Sequence, residues 1–492
     1  MNTIPIDMDL TEKLTILSDA AKYDVACTSS GVDRKGNGKG IGNSIAPGVC
    51  HTFSADGRCI SLLKILFTNE CIFNCAYCLN NRDSDVRRAS FTPEEICTIT
   101  LEFYRRNYIE GLFLSSGIMV SPNYTMELIY QTLHRLRTVY HFNGYIHAKA
   151  IPGADSFLVE QLGYLADRMS INLELPTGEG LKRLAPNKSR KSILSPMKEI
   201  QTGIKNNRYM NGMHNKKSLM YISDASYLDE SRNALMDNLA KAGYGIKQSE
   251  GMSLKEAKAI ETISRKTDNT DVGSYIGTKN RYFVPAGQST QMIIGATDET
   301  DYHIINVSEA LYDNYDLKRV FYSAFINVNN DNTLPSTERG PELLREHRLY
   351  QADWLLRYYG FKAGELLTED RPYFNKQIDP KCDWAVRHLG LFPVEINRAD
   401  YYTLLRVPGI GVKSAKRIIS ARRHCRLDFN DIKRMGVVLK RALYFITCEG
   451  KMMYDTRLEE SYITHHLIYN EKPERLIGAG EQITYTQMSL FD

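Results

Sequence analysis

The hydrophobic pattern of this chain changes twice along its length. Over residues 1–25 apolar side chains recur at helical spacing, and from residue 60 short apolar runs alternate with helical segments. Four residues share one face of the first predicted helix: Leu10, Leu14, Leu17 and Ala21. The runs predicted to be strands are 61–67, 111–118, 145–151, 169–175, 291–297 and 320–328. This alternation predicts an α/β protein with a parallel sheet or barrel, whose units are fewer than those of a closed eightfold barrel.

The rest of the pattern predicts the domain boundaries. A glycine-rich stretch (31–48) cannot form a regular element and is interpreted as a loop, and residues 206–275 interrupt the alternation as an insertion. Beyond residue 340 the pattern is helical. We therefore expect five segments: an N-terminal segment, a barrel domain with the insertion, a helical connector, a compact basic helical domain and a tail. Their predicted bounds are 1–58, 59–340, 341–394, 395–450 and 451–492.

Composition excludes several protein classes. The 492 residues are 43% hydrophobic and 24% charged, which is ordinary for a globular protein and excludes a mostly disordered chain. No apolar run reaches the about 18 residues that a membrane helix needs, and the N-terminus lacks a secretory signal pattern. We therefore expect a cytoplasmic protein without a membrane partner. In a reducing compartment, clustered cysteines are better explained as metal ligands than as disulfides.

The net charge of +4 conceals two basic blocks. Residues 181–220 contain ten Lys and Arg against one acid, and residues 401–450 contain eleven against three. Segregated positive charge of this kind is typical of a surface for a polyanion such as nucleic acid. Solvated loop or helix faces are the alternative explanation for either block alone.

Three cysteines form the strongest chemical signal. Cys71, Cys75 and Cys78 follow the first strand of the alternating region with the spacing C-x3-C-x2-C. Three thiolates on one loop can hold three irons of a [4Fe–4S] cluster and leave the fourth iron open to a cofactor or substrate. A zinc site is the main alternative, but it would need a fourth Cys or His at matching spacing.

This motif resembles that of the radical S-adenosylmethionine (SAM) superfamily, including the aromatic Tyr77 before the third cysteine. The resemblance implies a partial (β/α)6 TIM-like barrel with the cluster at the carboxyl ends of the strands. It also implies that the open iron binds SAM and that an electron donor reduces the cluster. Cleavage of SAM then gives a 5′-deoxyadenosyl radical, which abstracts a hydrogen atom from the substrate.

Other strand ends match the cofactor-binding positions that the resemblance implies. Ser115, Ser116 and Gly117 end the second strand, where the superfamily presents backbone groups to the SAM amino group; an ordinary turn is the alternative. Polar residues at 170, 172 and 174 share one strand face, suited to a ribose or to solvent: Ser170, Asn172 and Glu174. Residues 291–298 resemble an adenine-contacting motif through Gln291, Ile293, Gly295 and Asp298, with the motif's first Gly and final Glu replaced.

The remaining cysteines give weaker signals. Cys27, Cys50 and Cys59 could form a second metal site, but their spacing matches no local ligand pattern and buried thiols are favoured. Four others are interpreted as core residues: Cys97, Cys382, Cys425 and Cys448.

A second motif occupies residues 400–423, where two helices flank Val-Pro-Gly-Ile-Gly. Gly409 and Gly411 permit a tight turn whose N–H groups can hold a phosphate, with basic side chains nearby. Those side chains are Lys413, Lys416 and Arg417. The segment resembles the helix-hairpin-helix of DNA repair proteins, which implies a phosphate-reading, all-helical C-terminal domain; residues 428–443 are its predicted second half.

A radical SAM core joined to a helix-hairpin-helix resembles the bacterial family described as DNA modification or repair radical SAM proteins. The resemblance extends to AAKYDVACTSSG and LKRLAPNKSRKSILSPM. It implies an enzyme that acts on DNA. Two alternatives remain: a tRNA-modifying radical SAM enzyme, and a non-catalytic DNA-binding iron–sulfur protein. The second would normally have four protein ligands for its cluster.

The last residues carry a candidate partner motif. Gln487-Met488-Ser489-Leu490-Phe491 resembles the pentapeptide by which bacterial repair proteins bind the sliding clamp. Leu490 and Phe491 would be apolar anchors, and the Gln487 amide would bind at the rim of a pocket. The alternative is that these side chains fold back onto the protein itself.

Overall fold

The structure, a computed structural model, describes residues 8–21, 49–53, 59–210, 282–336, 342–454 and 456–469. The chain forms two compact units, Met1–Glu346 and His347–Asp492. The division lies close to the predicted end of the barrel domain. It assigns the predicted connector and the basic helical domain to the same unit.

The first unit is built on a seven-stranded sheet in the order β1 to β7. The strands are β1 (Val49–Phe53), β2 (Cys59–Leu66), β3 (Gly111–Ser115), β4 (Tyr145–Lys149), β5 (Arg168–Ser170), β6 (Gln288–Ile294) and β7 (Arg319–Ala324). β1 pairs antiparallel with β2, and the other five pairings are parallel. The predicted partial (β/α)6 barrel is confirmed, because the six strands of the alternating region form one parallel half-barrel in chain order.

Helices alternate with the strands of this half-barrel. They are α1 (Leu10–Ala20), α2 (Pro93–Arg105), α3 (Pro122–His134), α4 (Ser156–Leu165), α5 (Gly178–Leu184), α6 (Arg190–Met210) and α7 (Asp301–Tyr315). The start of α2 is the predicted one: Thr92 and Glu95 form a capping box, and Pro93 occupies the first turn. Capping fixes where the chain leaves the sheet and enters each helix.

The two faces of the sheet differ in chemistry. On the outer face the Gln288 amide donates to carbonyls of Met197 in α6 and Tyr315 in α7. Tyr322 of β7 bonds Ser308 of α7 on the same face. Side chains alternate along a strand, so the residues between these outward positions point into the half-barrel.

Two features of the sheet differ from the sequence expectation. β5 ends at Ser170 instead of continuing to residue 175, and pairing resumes as a single bridge between Glu174 and Met292. Between these points the Thr290 hydroxyl of β6 replaces backbone pairing, because it donates to the Ile171 carbonyl and accepts from the Leu173 amide. β1 was not anticipated, because it adjoins the glycine-rich stretch and has no helix between it and β2.

The second unit is mostly helical. Its helices are α8 (Leu343–Tyr359), α9 (Ala363–Leu366), α10 (Pro380–Arg387), α11 (Tyr401–Arg406), α12 (Val412–Ala421), α13 (Phe429–Arg434), α14 (Leu439–Ala442) and α15 (Glu460–Tyr469). A pair of two-residue parallel strands, β8 (Val394–Glu395) and β9 (Ile446–Thr447), joins the two ends of the segment that carries α11 to α14. Within the described residues, no helix is long and apolar enough to span a bilayer.

Candidate metal centre

The three cysteines lie on the loop that follows β2, at the carboxyl end of the parallel strands. Cys75 is buried and the other two are partly exposed. The Cys78 amide donates to the Cys75 carbonyl in a tight turn, and the Phe73 amide donates to the Cys71 sulfur. The loop therefore presents three sulfurs from one short segment, as the sequence predicted.

Distant parts of the first unit hold the loop in place. The Ala76 amide donates to the Leu184 carbonyl at the end of α5, 2.8 Å away. From beyond β7, the Asn329 amide donates to the carbonyls of Ala76 and Cys78, at 2.8 and 3.1 Å. The cysteine loop is thus fixed from both sides of the barrel mouth.

A single arginine closes the other end of the loop. The Arg88 guanidinium donates to four backbone carbonyls within 3.1 Å. These carbonyls belong to Asn69, Asn80, Asn81 and Ser84. Because the acceptors bracket the cysteines in sequence, Arg88 sets the shape of the loop before any metal binds.

Burial governs the electrostatics of the thiols. It raises the pKa of Cys75 and raises the pKa of Cys78 to about 12. Without a metal these thiols are protonated at neutral pH, whereas a coordinating metal deprotonates a thiol outright. In the described part of the chain, no three His, Cys, Asp or Glu side chains are arranged to hold one single ion. In the expected cluster each cysteine binds a different iron.

Tyr77 of the cysteine loop contacts both apolar and charged side chains of the first unit. Its ring packs on an apolar cluster that includes Leu175 and Leu184, and Ile293 packs there too. Lys188 donates to the Tyr77 hydroxyl at 3.3 Å and to the Glu174 carboxylate at 2.9 Å. Burial alone would lower the pKa of Lys188, but Glu174 and Tyr77 raise it well above the ordinary value.

The Ser-Ser-Gly end of β3 packs directly on the cysteine loop. The Gly117 amide donates to Thr68 at 2.7 Å, and a side chain at Gly117 would overlap the Glu70 carbonyl. The hydroxyls of Ser115 and Ser116 are buried and have no hydrogen-bond partner among the described residues. Orphaned polar groups beside a three-thiolate loop fit a polar cofactor, so the residues present are suited to a cluster with SAM.

The three polar residues predicted to share one strand face lie at and just after the end of β5. The Ser170 hydroxyl forms a hydrogen bond with the His147 ring at 2.9 Å, and the Glu174 carboxylate accepts from the Lys188 amine at 2.9 Å. Asn172, between them, is half-buried. The shared-face prediction assumed a continuous strand, whereas β5 ends at Ser170 and pairing resumes only at Glu174.

The end of β6 and the segment after it contain the residues predicted to contact adenine. Gln291 is buried in the strand, and Gly295 turns the chain at φ +84°. Asp298 is exposed, whereas Glu299 is buried and accepts from Thr177 and Thr297. In this segment it is therefore Glu299 whose carboxylate is held by hydrogen bonds within the protein.

The second unit contains two helix–turn–helix pairs that pack on each other. In α11–α12 the turn has Gly409 at φ +80°, and in α13–α14 it has Gly436 at φ +88°. The Val438 amide donates to the Gly409 carbonyl at 2.9 Å, and a side chain at Gly409 would overlap the Val438 carbonyl. Each turn therefore requires its glycine for backbone conformation, and the first requires it also for contact.

The predicted phosphate-contacting residues surround the first turn. Gly411 is the N-cap of α12 and has no side chain to cover the amides that follow. Lys413, Lys416 and Arg417 are exposed, and Arg417 also donates to the Met435 carbonyl of the second turn. The buried Lys381 amine donates to the Ile410 carbonyl at 2.6 Å.

The remaining cysteines and the C-terminal motif were also assigned from the sequence. Cys97, Cys382 and Cys448 are buried as expected, but Cys425 is exposed, because it lies in the turn after α12. Cys27 and the side chains of Cys50 and Cys59 lie outside the described residues, as does the tail with Gln487, Leu490 and Phe491.

Comparison with known proteins identifies part of the chain. Residues 56–169 match a family described as a 4Fe–4S single cluster domain, which includes all three cysteines. No curated protein matches the chain. The matched domain, the C-x3-C-x2-C loop and the parallel half-barrel support the radical SAM class of enzyme, with a [4Fe–4S] cluster and SAM as cofactors.

Solved structures show only distant likeness. Two structures of HydG, a maturase of the [FeFe]-hydrogenase, align at TM-scores of 0.32 and 0.33 with 12% and 11% identity. The second is from Carboxydothermus hydrogenoformans. Each alignment covers 59% of this chain and 48% or 50% of the HydG chain. The radical SAM methyltransferase TsrM from Kitasatospora setae aligns at 0.27 with 10% identity, over 52% of this chain and 35% of its own. This chain thus spans about half the length of the HydG chains.

Proposed function

We propose that this protein is a radical SAM enzyme that acts on nucleic acid, with DNA favoured over tRNA. The observation that carries the proposal is the three-cysteine loop at the carboxyl ends of the parallel strands. Beside it lie the hydroxyls of Ser115 and Ser116, which have no hydrogen-bond partner in the part of the chain that the structure describes. Barrel enzymes place their chemistry at this end of the strands.

In this proposal the chain's residues bind and orient, and the cofactors supply the reactivity. Cys71, Cys75 and Cys78 hold three irons, and Arg88 and Asn329 fix the loop that carries them. When bound and reduced, the cluster and SAM supply a 5′-deoxyadenosyl radical. Lys188 and Glu174 form a largely buried ion pair, and Lys188 also donates to the Tyr77 hydroxyl, so the pair helps to fix Tyr77 of the cysteine loop.

The second unit supports nucleic acid as the substrate class. Two glycine turns pack together, and the exposed Lys413 and Lys416 follow the open N-terminus of α12. Backbone amides and lysines placed in this way suit phosphates, which position a nucleic acid without reading its sequence.

The first unit adds a basic surface of its own. After β5, the α5–α6 segment exposes Lys182, Arg183, Arg190 and Lys191. Lys188 of the same block differs, because it is buried against Glu174. A base or sugar hydrogen must reach the barrel mouth to react, so duplex DNA would have to extrude a nucleotide or open to a single strand.

Binding measurements on full-length protein test the substrate class. Lys413→Gln with Lys416→Gln should weaken DNA binding about tenfold and reduce the salt-dependence slope by about 2, because two phosphate contacts are lost. Lys376→Gln removes an exposed lysine outside the two helix pairs and should leave the affinity unchanged. Affinity equal to wild type in the double variant would refute the hairpin as a DNA surface. A clear preference for tRNA would favour the tRNA-modifying alternative.

We also propose that the C-terminal tail binds the bacterial sliding clamp. Tethering a sequence-blind DNA binder to the clamp raises its effective concentration on DNA. A peptide of residues 480–492 should bind the clamp with a Kd of order micromolar, and Leu490→Ala with Phe491→Ala should abolish binding. Absence of binding by both the peptide and the full-length protein would end this proposal.

A further inference from the structure

The first glycine turn is held by two side chains from outside the helix pair that carries it. Lys381 of α10 donates from its amine to the Ile410 carbonyl at 2.6 Å. Tyr359, the last residue of α8, accepts a hydrogen bond from the Val412 amide through its hydroxyl. Both side chains belong to the segment that the sequence predicted to be a connector, 341–394. The turn is therefore fixed from the connector as well as from the second helix pair.

Packing alone does not account for an amine at position 381. Lys381 is 8% exposed, and its amine lies 4.7 Å from the centre of the Tyr359 ring. Taking an amine out of water costs free energy, whereas a methionine would fill much the same space without that cost. The hydrogen bond to the Ile410 carbonyl is what the amine adds at this position.

The helix that carries Lys381 is anchored where it begins. The Asp379 carboxylate caps α10 by accepting from the amides of Lys381 and Cys382, both at 3.0 Å. The same carboxylate forms an ion pair with Arg441 of α14 at 3.3 Å. The first turn of α10 is therefore tied to the second helix pair, and the amine reaches the Ile410 carbonyl from an anchored helix.

The contact with Ile410 determines where the next amide points. The Ile410 carbonyl and the Gly411 N–H belong to one planar trans peptide unit, in which they point in opposite directions. Ile410 is 1% exposed and its carbonyl faces the buried amine, so the Gly411 N–H faces outward. In the part of the chain that the structure describes, this N–H has no hydrogen-bond partner.

We propose that Lys381 is a positioning residue for phosphate binding, because it aims the Gly411 amide at a backbone phosphate of nucleic acid. This inference rests on the proposed function and extends it from the exposed lysines to a buried residue of the connector. The amide supplies a directed hydrogen bond to a phosphate oxygen, and Lys413 and Lys416 supply charge. Without the Lys381 amine, the peptide unit before Gly411 can rotate and its amide loses a fixed direction.

Binding of duplex DNA to the full-length protein, measured by fluorescence anisotropy over a range of salt concentrations, tests this role. Lys381→Met should weaken binding about tenfold, because a directed hydrogen bond to a phosphate is lost. The salt-dependence slope should keep its wild-type value, since the buried Lys381 neutralises no phosphate. The double variant Lys413→Gln with Lys416→Gln differs from it, because that variant should lower the slope.

Cys382→Ala is the matched control. It truncates the buried neighbour of Lys381 on the same helix, whose side chain is hydrogen-bonded to Asp379 instead of the turn, and it should bind DNA as wild type does. An equal loss of affinity in Cys382→Ala would assign the effect to disturbed packing of α10 and overturn the positioning role.

The amide resonance of Gly411, observed in protein with isotope-labelled glycine, reports the contact directly. It is identified by its absence in Gly411→Ala, and in wild type it should shift on addition of DNA as the amide bonds to phosphate. At saturating DNA the shift should be smaller in Lys381→Met than in wild type.

The outcomes separate this inference from the proposed function. A Gly411 resonance that does not shift in wild type, or wild-type affinity in Lys381→Met, would overturn the positioning role. If the double lysine variant still weakened DNA binding, the hairpin would remain a DNA surface. Absence of DNA binding by the wild-type protein would refute both.

Discussion

At the scale of single residues, the cysteine loop owes its shape to groups far away in the chain. Asn329 binds the carbonyls of Ala76 and Cys78, and Arg88 binds four carbonyls around the loop. All of these acceptors are backbone carbonyls, so these contacts do not involve the three sulfurs. A loop whose backbone carbonyls are already bound by distant side chains is organised before the cluster arrives.

Replacing the three cysteines tests their assignment as cluster ligands. Cys71→Ala, Cys75→Ala and Cys78→Ala in one protein should abolish iron binding and the visible absorbance of the cluster, because no thiolates remain on the loop. Cys425→Ala removes an exposed cysteine and should leave iron content unchanged. A triple variant that keeps a full cluster would show that other cysteines, such as Cys27, Cys50 and Cys59, are the ligands.

The sequence identified the residues whose chemistry is local and missed those that act at long range. Cys71, Cys75 and Cys78 are close in the chain, so their spacing alone predicts a metal site. Lys188 looked like one more surface cation of a basic block, yet it is buried against Glu174 and Tyr77. Asn329 carries no local signal, because its contacts lie about 250 residues away.

At the scale of helices and strands, local rules predicted starts and turns better than strand ends. The capping box at Thr92 and the glycine turns at Gly409 and Gly436 are set by nearby residues. The end of β5 is set instead by Thr290 of the next strand, which no local pattern in 169–175 reveals. The antiparallel β1 depends on pairing with β2, so it also escaped prediction.

The turn at Gly409 is hydrogen-bonded by a buried lysine, Lys381, whose pKa is lowered. Burial lowers the pKa of Lys381 to about 7, although Asp379 opposes the shift and Arg406 and Arg441 add to it. Its amine donates to the Ile410 carbonyl and lies 4.7 Å from the centre of the Tyr359 ring. The turn is therefore braced by an amine that is partly neutral near pH 7.

This brace predicts a pH dependence of stability. An unfolded lysine titrates at about 10.4, so between about pH 7 and pH 10 the unfolded chain binds more protons than the folded chain. The free energy of unfolding should therefore rise with pH in this window, by about 2 kcal/mol from pH 7 to pH 9. Calorimetry of full-length Lys381→Met should show a smaller rise, and Lys376→Met should match wild type. An identical pH dependence in all three proteins would contradict a neutralised Lys381.

At the scale of the whole molecule, the chain joins a cluster-bearing half-barrel to a basic helical unit. The charge segregation seen in the sequence falls on exposed residues of both units, among them Lys182 and Lys191 in the first and Lys413 and Lys416 in the second. The alternation of strands and helices predicted a parallel sheet or barrel, and the resemblance to the radical SAM superfamily implied the partial barrel. Neither could show that the connector and the glycine turns form one unit, because that grouping depends on packing between helices distant in sequence.

The most direct test of the central claim is formation of 5′-deoxyadenosine by the reconstituted, reduced full-length protein supplied with SAM. The assay compares single-stranded DNA, duplex DNA, tRNA and no nucleic acid. Wild type should form 5′-deoxyadenosine, faster with DNA than with tRNA, and the triple cysteine variant should form none. A protein that holds a full [4Fe–4S] cluster but forms no 5′-deoxyadenosine under any of these conditions would contradict the assignment as a radical SAM enzyme.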